Sequence, residues 1–512
     1  MYFIIPKLQA MITTKKMLSL LIVFLTIILM THAQKSFFPE TKNVGNPAIS
    51  GKMVFNPEMQ SYELTGAGTN MWFDKDEFFF AARKVSGDFI ITSKIDILTQ
   101  TGNAHRKMGL MIRQTLETNS AYADIVLHAD GLLSLQYRSK QGAITEEVKF
   151  TEVGAQYLQL EKKGSKILAR IAQTSKALTA AKEVELPFEA PFYVGLVTGS
   201  HDAALTATGL FTNVRFDVAA ADGVDGYKMP SSSRLEILDA ETGLRKVIYS
   251  TTTHIEAPNW SRDGKFLIYN SGGKLYKFDL KKGIPEVIES GIATNNNNDH
   301  GISFDGKTLA ISNHLQENGK NNSIIFTLPT KGGKAFRVTE KGPSYWHGWS
   351  PDGKLLVYCA EREGDYNVYQ IPAKGGQEKQ LTTAKGLDDG PEYSPDGKYI
   401  YFNSTRTGTM QIWRMNPDGT EQTQITFDSN QDWFAHPSPD GKLLIYISYL
   451  PEVPATSHPH NQRVMLRMQP VGGNEVKVLA YIYGGQGTFN VPSWSPDSKK
   501  VAFVSYTYGE LE

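Results

Sequence analysis

One hexapeptide recurs six times in the second half of this chain, and its spacing limits the fold more than any other feature. The copies are Trp260-Ser-Arg-Asp-Gly-Lys265, Ile302-Ser-Phe-Asp-Gly-Lys307, Trp349-Ser-Pro-Asp-Gly-Lys354, Tyr393-Ser-Pro-Asp-Gly-Lys398, Pro437-Ser-Pro-Asp-Gly-Lys442 and Trp494-Ser-Pro-Asp-Ser-Lys499. Their aspartates stand at 263, 305, 352, 396, 440 and 497, so the steps are 42, 47, 44, 44 and 57 residues. A period near 44 with several strand-like segments per unit is the mark of four-stranded blades repeated around an axis.

Each unit parses alike. In the third, Tyr345–Trp349, Lys354–Cys359, Asn367–Ile371 and Glu378–Thr382 form strands A to D. Asp-Gly supplies the positive-φ residues of a tight A–B hairpin, which five of the six copies keep. An aromatic three residues before the aspartate (Trp260, Trp349, Tyr393, Trp494) lies on strand A, where it can fill the gap between blades. The last copy runs out after its B strand, Val501–Ser505. The missing strands are supplied earlier: Arg234–Asp239 matches the C strand Lys274–Asp279, and Leu244–Tyr249 matches a D strand. Pairing of 234–249 with 493–507 therefore closes a ring of six blades and removes its exposed sheet edges.

The Ser-Pro-Asp-Gly-Lys cores and Gly-Gly turns over 234–507 resemble the TolB-like propellers of bacterial envelopes. That resemblance is specific for fold and says little of chemistry, because such propellers include binding modules, peptidase gates and sugar-cleaving enzymes.

Residues 34–218 lack the repeat. They alternate apolar and polar positions over short segments such as 88–95, 108–113, 122–127, 157–161, 167–171 and 192–196, which predicts a sandwich of two antiparallel sheets. Lys107–Arg113, Tyr193–Thr198 and Gly209–Phe216 resemble the concanavalin A-like jelly rolls attached to carbohydrate-active proteins. The resemblance implies a sugar-holding sheet, with Trp72, Phe73, Arg113 and Tyr137 as candidates beside the alternative that they are packing residues. Residues 219–233 are small and polar, a linker composition, and 234–512 form the propeller. The fold class is thus all-β throughout.

The apolar run Met17–Met30 follows Lys15 and Lys16 and precedes Thr31-His32-Ala33, so residues 1–33 are expected to be a cleaved secretory signal, and the protein periplasmic or secreted. The run is shorter than the ~20 residues of a membrane span, so no stable span is expected after its removal. The formal net charge of zero gives no field for nucleic acid. The single cysteine, Cys359, precludes an internal disulfide.

Seven of the eleven histidines lie in the repeat region, all in segments expected on one loop face. His300 and His347 share one repeat position, and His436 stands one residue later. These three are the candidate ligands of an axial divalent metal (Mn, Zn or Ca), because imidazole suits such ions and several blades can aim at one point. Asp299, Asp388, Asp389, Glu392 and Asp432 stand nearby. The competing reading makes the histidines cap channel waters. The candidate substrate contacts are Trp346, Trp433, Arg362, Arg406, His458 and His460, with Tyr345 and Phe434, suited to sugar stacking and to holding a carboxylate or sulfate. His458 and His460 sit on the proline-stiffened loop 448–462 of the fifth blade, a candidate lid, whereas Thr294–Asn298 is expected to be a plain loop. No Gly-x-Ser-x-Gly elbow occurs, which argues against a serine hydrolase.

Three functions fit: an oligosaccharide- or polysaccharide-binding protein; a metal-dependent lyase or hydrolase of uronate-containing oligosaccharides, as resemblance to oligogalacturonate-lyase propellers implies, with His300, His347 and His436 on the metal and Arg362 or Arg406 on the carboxylate; or an envelope scaffold whose partner is a protein. Whether the chain is an enzyme stays open at this level.

Overall fold

The structure, a computed structural model, describes residues 35–509 other than Met229 and Asn318. The expected signal segment 1–33 lies outside the described residues. Among those described there are strands and no α-helix, and so no helix long and apolar enough to cross a membrane.

The N-terminal strands form two seven-stranded antiparallel sheets. The first runs Glu40–Val44, Phe78–Val85, Phe192–Gly199, Lys107–Arg113, Tyr122–His128, Leu133–Arg138, Glu146–Lys149. The second runs Lys182–Glu185, Lys166–Ala172, Tyr157–Lys163, Phe89–Ile97, Asp202–Asp217, Ser61–Gly68, Lys52–Asn56. Leu110, Ile112, Ile125 and Leu196 of the first share one buried core with Ile91, Leu158, Ile167 and Phe211 of the second.

Five four-stranded blades follow, opening with Glu256–Trp260, Asn296–Ile302, Ser344–Trp349, Asp388–Tyr393 and Gln431–Pro437. The sixth is shared by the two ends of the repeat, as the sequence predicts. Ser232–Asp239 pairs with Arg245–Thr251 on one side and with Lys500–Thr507 on the other, and Trp494 bridges to Val501.

The hexapeptide earns its recurrence through one local hydrogen-bond pattern. In every copy the serine Oγ donates to the aspartate Oδ1 at 2.6–2.9 Å, and that oxygen accepts the lysine backbone N–H, as at Lys354 (3.1 Å). The glycine takes φ of 71–75° in five copies, and Ser498 takes 61° in the sixth. Two of the three motif tryptophans bridge blades by a hydrogen bond: Trp349 Nε1 donates to Gly301 O and Trp494 Nε1 to His436 O, at 3.0 and 2.9 Å.

The two halves are bound by buried charge. Glu236, 0% exposed on strand Ser232–Asp239, accepts from Arg215 of strand Asp202–Asp217 and from Arg245. Asn213 Nδ2 donates to Gly243 O (2.8 Å), and the Gln60 amide pairs with the Val247 backbone. Residues 219–233 do more than tether, because Tyr227 packs against His254 and His460.

Candidate functional site

The A strands line the propeller axis, and each bulges midway. The pairing register shifts between Glu256 and Asn259, Asn296 and His300, Trp346 and Gly348, Asp389 and Glu392, and Trp433 and His436. Residues within the break, with Tyr345 and Asp389 just before it, line one mouth of the axis, and those after it line the other together with Trp346. The upstream mouth is a cavity of about 740 Å³ walled by Asn297, Asn298, Asp299, Tyr345, His347, Asp389 and Phe434 of strand A segments. Tyr227, Tyr366, Lys385, His458, Gln486 and Asn490 complete it from connections and loops. The downstream mouth, about 220 Å³, is narrower and lined by Trp260, Trp346, Trp349, Glu392 and Trp494.

An acid–base group occupies the larger mouth. His347 Nε2 lies 3.1 Å from Asp389 Oδ1, and Asp389 Oδ1 also accepts the Gly390 N–H at 2.7 Å. Burial opposes the charge on both partners, yet each holds the other ionised: the imidazole is raised and the carboxyl lowered from their ordinary values. Asp299, held by the Asn297 amide at 2.8 Å, differs: burial pushes its carboxyl up to about 7, and His347 offsets only part of that. His458 Nδ1 and Asn490 Nδ2 converge on Gln486 Oε1 at 2.6 and 2.7 Å. Burial lowers His458, so its ring is neutral at pH 7. The mouth therefore offers hydrogen-bonding amides, one ion pair, a carboxyl poised near neutrality and the rings of Tyr345, Tyr366 and Phe434.

The histidine trio expected to bind an axial metal is not gathered. His347 faces the mouth, but His300 is buried with Nε2 3.2 Å from Ile268 O. His436 lies below the bulge, its Nδ1 2.5 Å from Glu392 Oε2 and its Nε2 3.4 Å from Phe489 O. Among the described residues, three or more potential ligand atoms lie within 4.8 Å of one another only at His105–His128–Asp130 and at His254–Glu256–His460. The trio thus does not fit a shared ion.

The expected substrate contacts divide as well. Trp346 and Trp433 are 1% and 0% exposed, so neither presents a stacking face. The Trp346 ring fills the space beside Gly301, and Trp433 packs on His458 with centroids 4.4 Å apart. Arg362 forms a two-pronged pair with Glu378 (2.9 Å each), and Arg406 pairs with Asp388 at 2.8 Å; both lie away from the mouth. Asp432 is likewise held by Arg467 at 3.0 Å. His458 does line the mouth, and His460 sits beside it against Tyr227. In the sandwich, Arg113 is buried against Asp76 at 3.1 Å, Tyr137 donates to Glu146 at 2.8 Å, and Phe73 is exposed. Trp72 alone of those candidates lines a cleft, of about 240 Å³, with Lys107 and Gln136.

Several lining residues carry no signal in the sequence. Tyr227 sits in the linker composition, and Gln486 and Asn490 sit in the longest spacer between repeats. Asn297 and Asn298 belong to strand Asn296–Ile302, although 294–298 is expected to be loop; the run of asparagines masks a strand whose side chains line the cavity.

Comparison with known proteins agrees with the blade geometry. The family model described as the TolB beta propeller domain, PD40, matches residues 317–455. An uncharacterised protein of Agrobacterium fabrum is 46% identical over 275 residues, 54% of this chain and 92% of that protein. The Tol-Pal system protein TolB of Francisella tularensis is 32% identical over 141 residues, 27% of this chain and 32% of that protein. A solved structure from Agrobacterium tumefaciens, provisionally named TolB, is 45% identical with a TM-score of 0.52, covering 55% of this chain and all of that one. With repeat, ring closure and these relatives in accord, the chain belongs to the TolB-like β-propeller family.

Proposed function

We propose that this is a periplasmic or secreted carbohydrate-binding protein that admits one end of a neutral oligosaccharide into the larger axial mouth. The carrying observation is the composition of that mouth. Tyr345, Tyr366 and Phe434 offer apolar faces beside Asn297, Asn298, Gln486 and Asn490. A sugar presents the matching pair, C–H faces and hydroxyls that donate and accept. The volume of about 740 Å³ lies inside the ordinary range for small-molecule sites, ~300–1,000 Å³.

Charge favours a neutral ligand over a uronate. Asp299 and Asp389 face the cavity against His347 and the rim residue Lys385, while Arg362 and Arg406 are paired elsewhere. The uronate-lyase reading loses both its metal trio and its carboxylate-holding arginines to these partners. The sandwich is read as a concanavalin A-like jelly roll over 34–218, with the cleft at Trp72 as an accessory sugar contact, and residues 1–33 as the export signal.

The test is calorimetric titration of neutral and uronate oligosaccharides into the mature protein. Replacing the half-buried rim residue Tyr366 by Ala should weaken binding of the neutral ligand by roughly tenfold, the worth of one stacked ring at ~1–2 kcal/mol, with unchanged melting. A protein that binds no glycan but captures an envelope protein would replace this reading with the scaffold one, which similarity to TolB of Francisella tularensis supports.

A further inference from the structure

We propose that His254, Glu256 and His460 form a binding site for a divalent transition metal of the zinc class, placed where the propeller ring is sealed. His254 and Glu256 stand at the entry to the first blade, on and before strand Glu256–Trp260, whereas His460 opens strand His460–Pro470 of the fifth. The shared sixth blade lies between them in the ring. Its strand Lys500–Thr507 contributes Tyr506, whose ring stacks on His254 at 5.0 Å and 7°. The three ligands therefore come from the blades on either side of the shared one, and an ion held by them would add to the buried charge, apolar packing and strand pairing that close the seam.

Unpartnered polar atoms carry the argument. Both ring nitrogens of His254, both of His460 and Oε1 of Glu256 are buried and make no hydrogen bond. His254 Nε2 and Glu256 Oε1 approach to 3.2 Å, off the angles of a good hydrogen bond, so that with a neutral ring their lone pairs face the same point. One nitrogen of each ring and the Glu256 oxygen converge, three buried lone-pair donors in one small volume, and a cation held between them would satisfy all three. One potential ligand atom from each residue lies within 4.8 Å of the others. Two imidazoles and a carboxylate are the donor set of zinc sites that keep a position open, and imidazole argues against a calcium site, which takes oxygen ligands.

The surroundings are built to aim these groups. Asn270 Nδ2 donates to the second carboxylate oxygen of Glu256 at 3.0 Å, fixing the plane of the carboxylate. Gly487 keeps the approach to Oε1 clear: a Cβ there would fall 2.7 Å from that oxygen and 2.7 Å from the Tyr506 hydroxyl. Gly226 performs the same service at His460, where a Cβ would lie 2.2 Å from the histidine Cβ. The Tyr227 ring, its centroid 4.5 Å from that of His460, stands between the cluster and the axial mouth it lines. By contrast, in the His105–His128–Asp130 cluster two members are exposed and Asp130 Oδ1 already accepts the Leu132 N–H.

The site does not rest on the sugar reading, and its test does not use a glycan. Mature protein stripped with a chelator is titrated with zinc chloride by calorimetry, against a chromophoric competitor, and its melting followed with and without zinc. A single tight equivalent is expected, with melting raised by zinc through mass action. His460→Gln and His254→Gln should each weaken zinc by roughly 100-fold or more, since even supporting residues of metal sites are worth ~10–100-fold, and should abolish the thermal shift. His105→Ala should leave both unchanged. Circular dichroism of the metal-free variants establishes that they fold, and the half-exposed position of His460 makes His460→Gln the safer of the two. The proposal is overturned if the wild type takes up no stoichiometric zinc, if His460→Gln binds as tightly as wild type, if His105→Ala removes the binding, or if calcium binds as well as zinc.

Discussion

Replacing Glu236 by Gln probes how the halves and the ring closure are held together. The carboxylate is 0% exposed. Its Oε2 accepts from Arg215 Nε (3.0 Å), Arg215 Nη2 (2.7 Å) and Arg245 Nε (2.9 Å). Its Oε1 accepts from Arg245 Nη2 and from Ser505 Oγ, each at 2.6 Å. One side chain thus joins the last sandwich strand, the closing pair and the final strand of the chain. The amide keeps the shape but leaves two buried guanidinium groups facing each other without a counter-charge. Removing one partner from a buried ion cluster costs ~3–5 kcal/mol. At ~2 °C per kcal/mol for a unit of this size, melting should fall by roughly 6–10 °C at pH 7.5. Scanning calorimetry and urea unfolding measure it, with exposed Glu241→Gln as a control expected to change stability by less than ~0.5 kcal/mol. Acid supplies a second arm. Burial alone would raise the Glu236 carboxyl, but Arg215 and Arg245 overcome it and hold the group well below the usual carboxylate range. A depressed folded pKa gives stability that is complete above the unfolded value, ~4.3, and that is lost as pH falls beneath it. The gap between wild type and variant should therefore be full at neutral pH and close in acid. A loss under ~1 kcal/mol at pH 7.5, or a gap that persists unchanged through the acid range, would falsify the assignment of this cluster as the lock.

Two further substitutions address the axis. Asp299 has its carboxyl raised by burial to about 7, with His347, Asp389 and Glu256 as its charged neighbours. The unfolded chain releases that proton near the ordinary Asp value, so between about pH 4 and pH 7 this residue subtracts stability as pH rises. Asp299→Asn should accordingly be more stable than wild type at pH 8, by at most ~4 kcal/mol on the linkage of 1.36 kcal/mol per pH unit, and equal it at pH 4, as urea unfolding at the two pH values measures; a variant less stable at pH 8 than at pH 4, relative to wild type, contradicts the assignment. Gly301→Ala places a Cβ 2.1 Å from the buried ring of Trp346. Urea unfolding should show a loss of ~1–3 kcal/mol from overpacking, and a neutral result would mean that the indole has room to retreat.

How far the sequence reveals this molecule depends on whether the chemistry at issue is local. Each Ser-x-Asp-Gly-Lys turn closes its hydrogen bonds within six residues, so the same physical need leaves the same letters six times, and blade number, turn position and ring closure can be read from them. Arg362 and Arg406 look like free loop cations because their partners, Glu378 and Asp388, lie 16 and 18 residues away in the chain; nothing in the local pattern marks the pairing. The histidines mislead for a different reason. Equal repeat positions imply equal aim only while the strand keeps its two-residue alternation, and every complete blade breaks that alternation inside strand A. Ala257 and Phe434 adopt φ of 52° at the break, where a non-glycine residue is costly, while Gly390 takes the same turn at 59°. Of the three, only Gly390 announces the bulge in the sequence. His347 falls within the irregular stretch and turns into the upper mouth, whereas His436 falls past it and is carried to Glu392 below. A bulge is thus the device that lets one repeated strand serve two ends of the axis. It follows that polar residues in or just before the break, Asn297 to Asp299 and Asp389 among them, are turned toward the larger mouth, while the aromatic residues after it, Trp260 and Trp349, line the narrower one with Trp494.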